Sequence, residues 1–379
     1  MASLHAILNP ITLTKVVSRQ LASEKWILQF MGMEPGGFNE QFFGHGRDGS
    51  YQVYNNSRQV GRMRAPGTAA GIARRNAIGR VPITYPRMHE EVQLLAEELH
   101  NLAQIGDPRM RDVAGRVMIR QQTTTLAQKA GNWRAAMVMG MLRDSLYYHV
   151  DGDDWYLTYS SSGALQQMPF QMPAANKTQL DMLGAGDILD VSWDNASANI
   201  PLHLNNIDAA FQNLYGGQLR NVICRGAMWQ HVINNDVVAS QAGIARAPFQ
   251  TFERLVGVRE DGSPLNVKVG ELACCPGITW YMTDEGLDLG APGSEVFTPY
   301  VGLNDAVFMP DPRTRDIYGM QLGSEPIAEF DGGPETVKIG LSSWSKKSSN
   351  PTVTELFVLD NALAINHIPV STAYGTPVF

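Results

Sequence analysis

SYQVYNNSRQVGRMRAPGTAAGIARRNAIGRVPITYP (50–86) begins and ends with alternating apolar and polar residues. SYQVYNNSRQV (50–60) and GRVPITYP (79–86) read as strands, and RMRAPGTAAGIARRNAI (62–78) as the polar tip between them. From Gly32 to Arg87 nothing reads as helix, and the stretch holds ten glycines and no lysine. So long a connection exceeds what a compact domain ordinarily accommodates, because most connections run about 4–6 residues. A long β-hairpin that leaves the body and finds its partner elsewhere removes the difficulty.

Outward from the hairpin, residues 12–31 fit an amphipathic helix with Leu13, Val17, Leu21, Leu28 and Met31 on one side. Thr12 or Thr14 is the expected N-cap, and Gly32, Pro35, Gly36 and Gly37 end the helix. On the other side, Met88, Val92, Leu95, Leu99 and Leu102 predict a helix that breaks at Gly106-Asp107-Pro108. A second helix starts near Pro108 and runs towards Leu146, with Met110, Val113, Val117, Leu126, Ala130, Trp133, Met137 and Met141 as its apolar series. At 1.5 Å per residue it would be about 50 Å long. YYHVDGDDWYLTY (147–159) then reads as a hairpin around a DGDD turn. Helices are expected at 203–215, at AMWQHVINND (227–236) and near 247–256, with a short strand at NVICRG (221–226). Strands follow at 279–284, 306–310, 336–344, 354–360 and 362–368. The class is α+β, with one very long helix and no regular βαβ alternation.

The 379 residues suit two or three structural units. Charged residues make up 18%, against about 25% in typical domains, so less of the surface is built for water. Cys224, Cys274 and Cys275 have neither a disulfide framework nor zinc-finger spacing, which suits a reduced compartment. The N-terminus lacks a basic region ahead of an apolar run, and no segment could span a bilayer, so a cytosolic chain without membrane contact is expected. Net charge is −7, unevenly divided. Residues 1–150 carry 18 Lys/Arg against 11 Asp/Glu, a net of +7; residues 151–379 carry 12 against 26, a net of −14. Such a split suits neutralisation within one molecule or between copies.

Chemistry-bearing motifs fail on context. GHGRDG (44–49) matches a dinucleotide fingerprint, but a strand-like SYQVY follows where the fingerprint needs a helix. Glu90, Glu91, Glu97 and Glu98 fall on one side of the expected helix, which cannot hold an acid and a base across a cleft. Asp151, Asp153 and Asp154 lack the calcium-loop spacing, and the eight histidines form no metal motif. No catalytic residue, metal site or cofactor is expected. A carbohydrate-active enzyme would need a carboxylate pair that the sequence does not supply. The unusual feature is the arginine set Arg47, Arg58, Arg62, Arg64, Arg74, Arg75, Arg80 and Arg87, with Asp48 the only nearby acid. It suits a protein interface, a nucleic-acid contact through loop 47–87, or a solvated loop.

VPITYPRMHEEVQ, YYHVDGDDWYLTY, GDILDVSWDNASANIPLHLNNIDAAF, NVICRGAMWQHVINNDVV, TPYVGLNDAVFMPDP and IGLSSWSKKSSNPTVTELFVLDNALAINHIPV stand in an order that resembles the major capsid proteins of tailed phages. The resemblance is to the lambda-type group, the phage major capsid protein E family, over most of residues 35–370. It implies the Hong Kong phage-type capsid fold: an N-terminal arm (1–37), an extended β-hairpin loop (38–87), a peripheral domain with a long spine helix (88–196) and an axial domain (197–335). Residues 336–379 would supply the return strands of the peripheral domain and a C-terminal strand of the axial domain. The implied role is a non-enzymatic major capsid protein that self-assembles, as hexamers and pentamers, into the icosahedral shell of a virion in the host cytoplasm. Copies of itself would be its main partners, with separate scaffolding, portal and decoration proteins, around double-stranded DNA held without sequence-specific binding. About 37 residues precede the loop, too few for a fused scaffold. The expected inter-subunit contacts are Arg62, Arg64, Arg74 and Arg75 at the loop tip. The alternative is a nucleic-acid-binding protein using loop 47–87.

Overall fold

The structure is a computed structural model that describes residues 10–42, 48–54, 78–95, 108–151, 154–162, 166–168, 170–241, 254–255, 267–291, 293–314, 317–328, 335–349 and 352–379. The expected N-terminal helix is two helices, α1 (Pro10–Glu24) and α2 (Trp26–Met31), separated by an extended Lys25. Leu13, Val17, Leu21, Leu28 and Met31 are buried as the periodicity predicts. Neither threonine is the N-cap, because the helix already starts at Pro10, whose fixed φ suits a first turn. Thr14 Oγ1 instead donates to the Ser343 carbonyl (3.1 Å) and accepts from the Ser343 N–H (2.9 Å). Gly32 ends α2 at φ 64°, where a Cβ would fall 2.1 Å from the Phe38 ring.

Strand β1 (Glu40–Phe42) is followed by β2 (Asp48–Tyr54) and β3 (Ile78–Thr84), which pair antiparallel from Asp48–Thr84 to Tyr54–Ile78. The expected hairpin stem is therefore present, while its tip lies outside the described residues. Where a helix was expected from Met88, the chain forms strand β4 (Met88–Leu95). Met88 and Leu94 are buried while His89, Glu91 and Gln93 are exposed, the alternation of a strand. A spacing of four, as in Met88 and Val92, satisfies both a helical and a strand period, and a distant partner strand settles the matter. The remainder of that expected helix, with Glu97 and Glu98, lies outside the described residues.

Helix α3 (Pro108–Arg143) matches its expectation, at 36 residues and about 54 Å. Leu126, Ala130, Met137 and Met141 are buried along it and Val117 is exposed. Strands β5 (Tyr147–Asp151) and β6 (Asp154–Thr158) form the predicted hairpin, joined by β7 (Gln166–Gln167). After β8 (Lys177–Thr178), α4 (Ile200–Leu214) is capped by Asn199, whose side chain accepts from the Leu202 N–H (3.2 Å). Next come β9 (Asn221–Cys224), α5 (Gly226–Ile233), α6 (Asp236–Gln241) and β10 (Arg254–Leu255). Of the helix expected near 247–256, only residues 254–255 are described, and they are a strand bonded to β11 (Val267–Glu271).

The chain continues through β12 (Thr279–Thr283), β13 (Gly286–Leu289), β14 (Val296–Pro299), β15 (Ala306–Met309), β16 (Tyr318–Leu322) and β17 (Ser324–Ala328). It ends through β18 (Glu335–Ile339), β19 (Ser342–Ser349), β20 (Thr352–Asp360), β21 (Ala362–Asn366) and β22 (Ala373–Gly375). The single strand expected at 336–344 is thus split into β18 and β19, because Gly340 turns the chain at φ 53°. A seven-stranded mixed sheet of order β10-β11-β12-β9-β15-β22-β8 holds one large core, with Trp280 6.1 Å from Trp193 and 5.3 Å from Trp229. Beside it, His203 on α4 accepts at Nδ1 from Trp193 Nε1–H (3.0 Å) and donates from Nε2–H to Asp190 Oδ1 (2.9 Å). Two three-stranded sheets, β1-β16-β21 and β19-β20-β4, lie near α3 and α1. The hairpins β2–β3, β13–β14 and β17–β18 each stand as a two-stranded ribbon among the described residues.

Candidate assembly surfaces

Three of the body's parts meet at a buried guanidinium. Arg134, on α3, is fully buried and donates from Nε to Asp360 Oδ2 (2.6 Å) and from a terminal nitrogen to Asp360 Oδ1 (3.1 Å). Its other terminal nitrogen reaches Glu40 Oε1 (2.9 Å), so the spine is tied to β1 and to the end of β20. Burial alone would lower the Arg134 pKa, but Asp360 and Glu40 more than offset this and hold it raised and charged. Little in the sequence marks this residue. Its signal was a lone cation before the apolar run AAMVMGML (135–142).

The hairpin stem grows from this frame. Tyr51 and Ile83 are buried at its base, the Tyr54 N–H donates to the His367 carbonyl (2.7 Å), and His367 Nδ1–H donates to the Gln52 carbonyl (2.7 Å). Thr84 Oγ1 donates to Asp48 Oδ1 (2.8 Å) at the open end of the pairing, away from the tip. The expectation of a hairpin with no partner in its own chain is therefore corrected at the base, where alternate β2 residues face a body already in place.

Arg62, Arg64, Arg74 and Arg75, the expected contact residues, lie outside the described residues, as do Arg47 and Arg58. Arg80 is exposed on β3. Arg87 meets Glu325 of its own chain at 3.0 Å, so this member of the arginine set is matched internally. Glu90, one of the carboxylates of the expected pairs, binds Lys129 at 2.6 Å. The three cysteines are free thiols, and among the described residues no group of three His, Cys, Asp or Glu side chains could hold a metal.

What the described surface offers is uncovered apolar area on thin supports. Val296 (66% exposed) and Phe297 (57%) stand on β14, and Val337 (62%) and Ile339 (43%) on β18. In β17–β18 one face carries Ile327 against the small cluster of Trp344, Phe357 and Leu359. The other face carries Val337 opposite an exposed Pro326, turned away from that cluster. Trp155 is exposed on β6, stacked on Tyr148 at 5.1 Å.

No protein-family model and no curated protein matches the sequence. Among solved structures, a phage-related protein from Bordetella bronchiseptica RB50 is similar at 9% identity, covering 100% of this chain and 98% of its own, with a TM-score of 0.47. The capsid of an empty GTA particle is similar at 10% identity over 90% and 88%, TM-score 0.43. The capsid of cyanophage P-SCSP1u is similar at 10% over 89% and 86%, TM-score 0.42.

Proposed function

We propose that this chain is a major capsid protein, a subunit that associates with copies of itself into a closed shell. The observation that carries the reading is the set of two-stranded ribbons whose apolar residues the chain leaves open. An isolated two-stranded ribbon is at best marginally stable in water, and ribbons bearing exposed Val, Ile and Phe gain stability when a neighbour covers them. The order of arm, hairpin, spine helix and mixed body, on which the family resemblance rests, points the same way. In this reading residues 88–196 form the peripheral domain around α3, residues 197–335 the axial domain, and residues 336–379 return to both. Arg62, Arg64, Arg74 and Arg75 meet acids of a neighbouring copy. Assembly in a host cytoplasm, with separate scaffolding, portal and decoration proteins and with DNA inside, completes the proposal.

Size-exclusion chromatography and negative-stain microscopy of the purified chain test it. Shells, rings, tubes or sheets are the expected species. A strictly monomeric chain at high concentration overturns the reading.

A further inference from the structure

Two surfaces of this chain match each other in charge and apolar content. On α1, Ile11, Lys15 and Arg19 recur every four residues, and all three are exposed. On α3, Val117 and Arg120 are exposed three residues apart. The two helices pack on each other, and the Gln20 Nε2–H bond to Thr124 Oγ1 (3.1 Å) crosses their seam. Residues 10–23 and 113–143 contain no Asp or Glu. Among the described residues Lys15, Arg19 and Arg120 make no ion pair, whereas Lys129 and Arg134 on the same helix pair do.

The opposite character is found between Lys177 and Arg220. This stretch carries five Asp and no Glu, Lys or Arg. Asp187 and Asp194 are exposed without an ion pair among the described residues, and Leu183 (46% exposed), Val191 (36%) and Leu202 (49%) stand among them. Asp190, in contrast, is committed to His203.

We infer that the basic, apolar α1/α3 face of one copy docks on the acidic, apolar surface of residues 181–202 of a second copy. The inference rests on the self-assembly reading and gives it a specific contact. The two patches differ, so the contact is head-to-tail and propagates from copy to copy, as a ring or shell requires. A nucleic acid would satisfy the cations alone. It would leave the exposed Ile11 and Val117 unmatched and give no reason for an equally one-signed surface elsewhere on the same chain. Complementary charge of this kind sets partner choice and encounter rate more than raw affinity, and is screened beyond about 8 Å at physiological salt.

The test is a charge exchange on the full chain, read by light scattering and electron microscopy. Lys15→Glu with Arg19→Glu, or Asp187→Lys with Asp194→Lys, should each lower the assembled fraction about tenfold. Circular dichroism and the thermal midpoint of the unassembled chain should stay unchanged, since among the described residues these side chains make no ion pairs to lose. All four substitutions together should restore assembly. Normal assembly by either two-site variant, or no recovery in the four-site variant, overturns the inference while leaving self-assembly standing. If Lys15→Glu with Arg19→Glu instead loses retention of duplex DNA while assembling normally, the face serves a nucleic acid and the inference fails. An unsubstituted chain that never assembles is a different result, because it removes the self-assembly reading first.

Discussion

Arg134 shows how a single side chain can join parts far apart in sequence. Removing it strands Asp360, which is fully buried, and Glu40 without their cation. Loss of one partner of a buried pair typically costs about 3–5 kcal/mol, so Arg134→Met should lower the urea midpoint sharply, and Arg134→Met with Asp360→Leu should recover much of the loss. His203 gives a pH dependence with a definite sign. Burial lowers its pKa, outweighing the raising effect of Asp190. The Trp193 N–H also occupies Nδ1, which a protonated ring would have to release. The unfolded chain therefore takes up the proton first, near pH 6.5, and stability present above that pH is lost as pH falls towards the lower folded value. Urea midpoints at pH 7.5 should exceed those at pH 5.5, and His203→Phe should narrow the gap; an unchanged gap would refute the assignment. Neither residue stood out in the sequence, because what each does depends on partners 226 and 10 residues away that only the fold brings together.

At the scale of elements, the long helix and both flanking hairpins were legible because their signals are local: Pro108 at a first turn, alternation at 50–60 and 79–86, and an acidic turn between aromatic runs. Strand β4 was not, since its identity depends on β20, and β18 and β19 merged because only Gly340 and Leu341 separate them. The arginine tip was legible as a charge anomaly, but its contacts belong to another scale and lie outside the described residues. Gly340 is where a strand-propensity reading can be checked directly. At φ 53°, with a Cβ placed 2.9 Å from the Leu322 side chain, Gly340→Ala should cost roughly 1–2 kcal/mol in urea unfolding, since left-handed backbone penalises any side chain. No measurable loss would show that the two strands can run on as one.

Over the whole molecule, the charge split and the open ribbons belong together: the +7 of residues 1–150 can be offset by part of the −14 beyond them on a neighbouring copy, and the ribbons covered by it, with each copy keeping its net −7. Non-covalent contacts are then the expected means of holding copies together through the loop. Residues 26–128 contain no lysine, and an isopeptide bond needs an amine nucleophile that arginine, always protonated, cannot replace. Denaturing electrophoresis of assembled particles should give one band near 41.6 kDa, and a boiling-resistant ladder would contradict this.

The pairing of β4 with β20 also sets a timetable. Met88 lies opposite Asp360, 272 residues later (360 less 88). At a synthesis rate of about 5–20 residues per second, β4 waits roughly 15–50 s on the ribosome before its partner exists. During that wait its buried face, with Met88 and Leu94, stays wet and its ladder groups stay open to any passing strand. Nascent copies crowded on one polysome would meet each other's unfinished edges before their own β20. Slower initiation, or a holdase that shields residues 88–95, should therefore raise soluble yield without changing the stability of the finished protein.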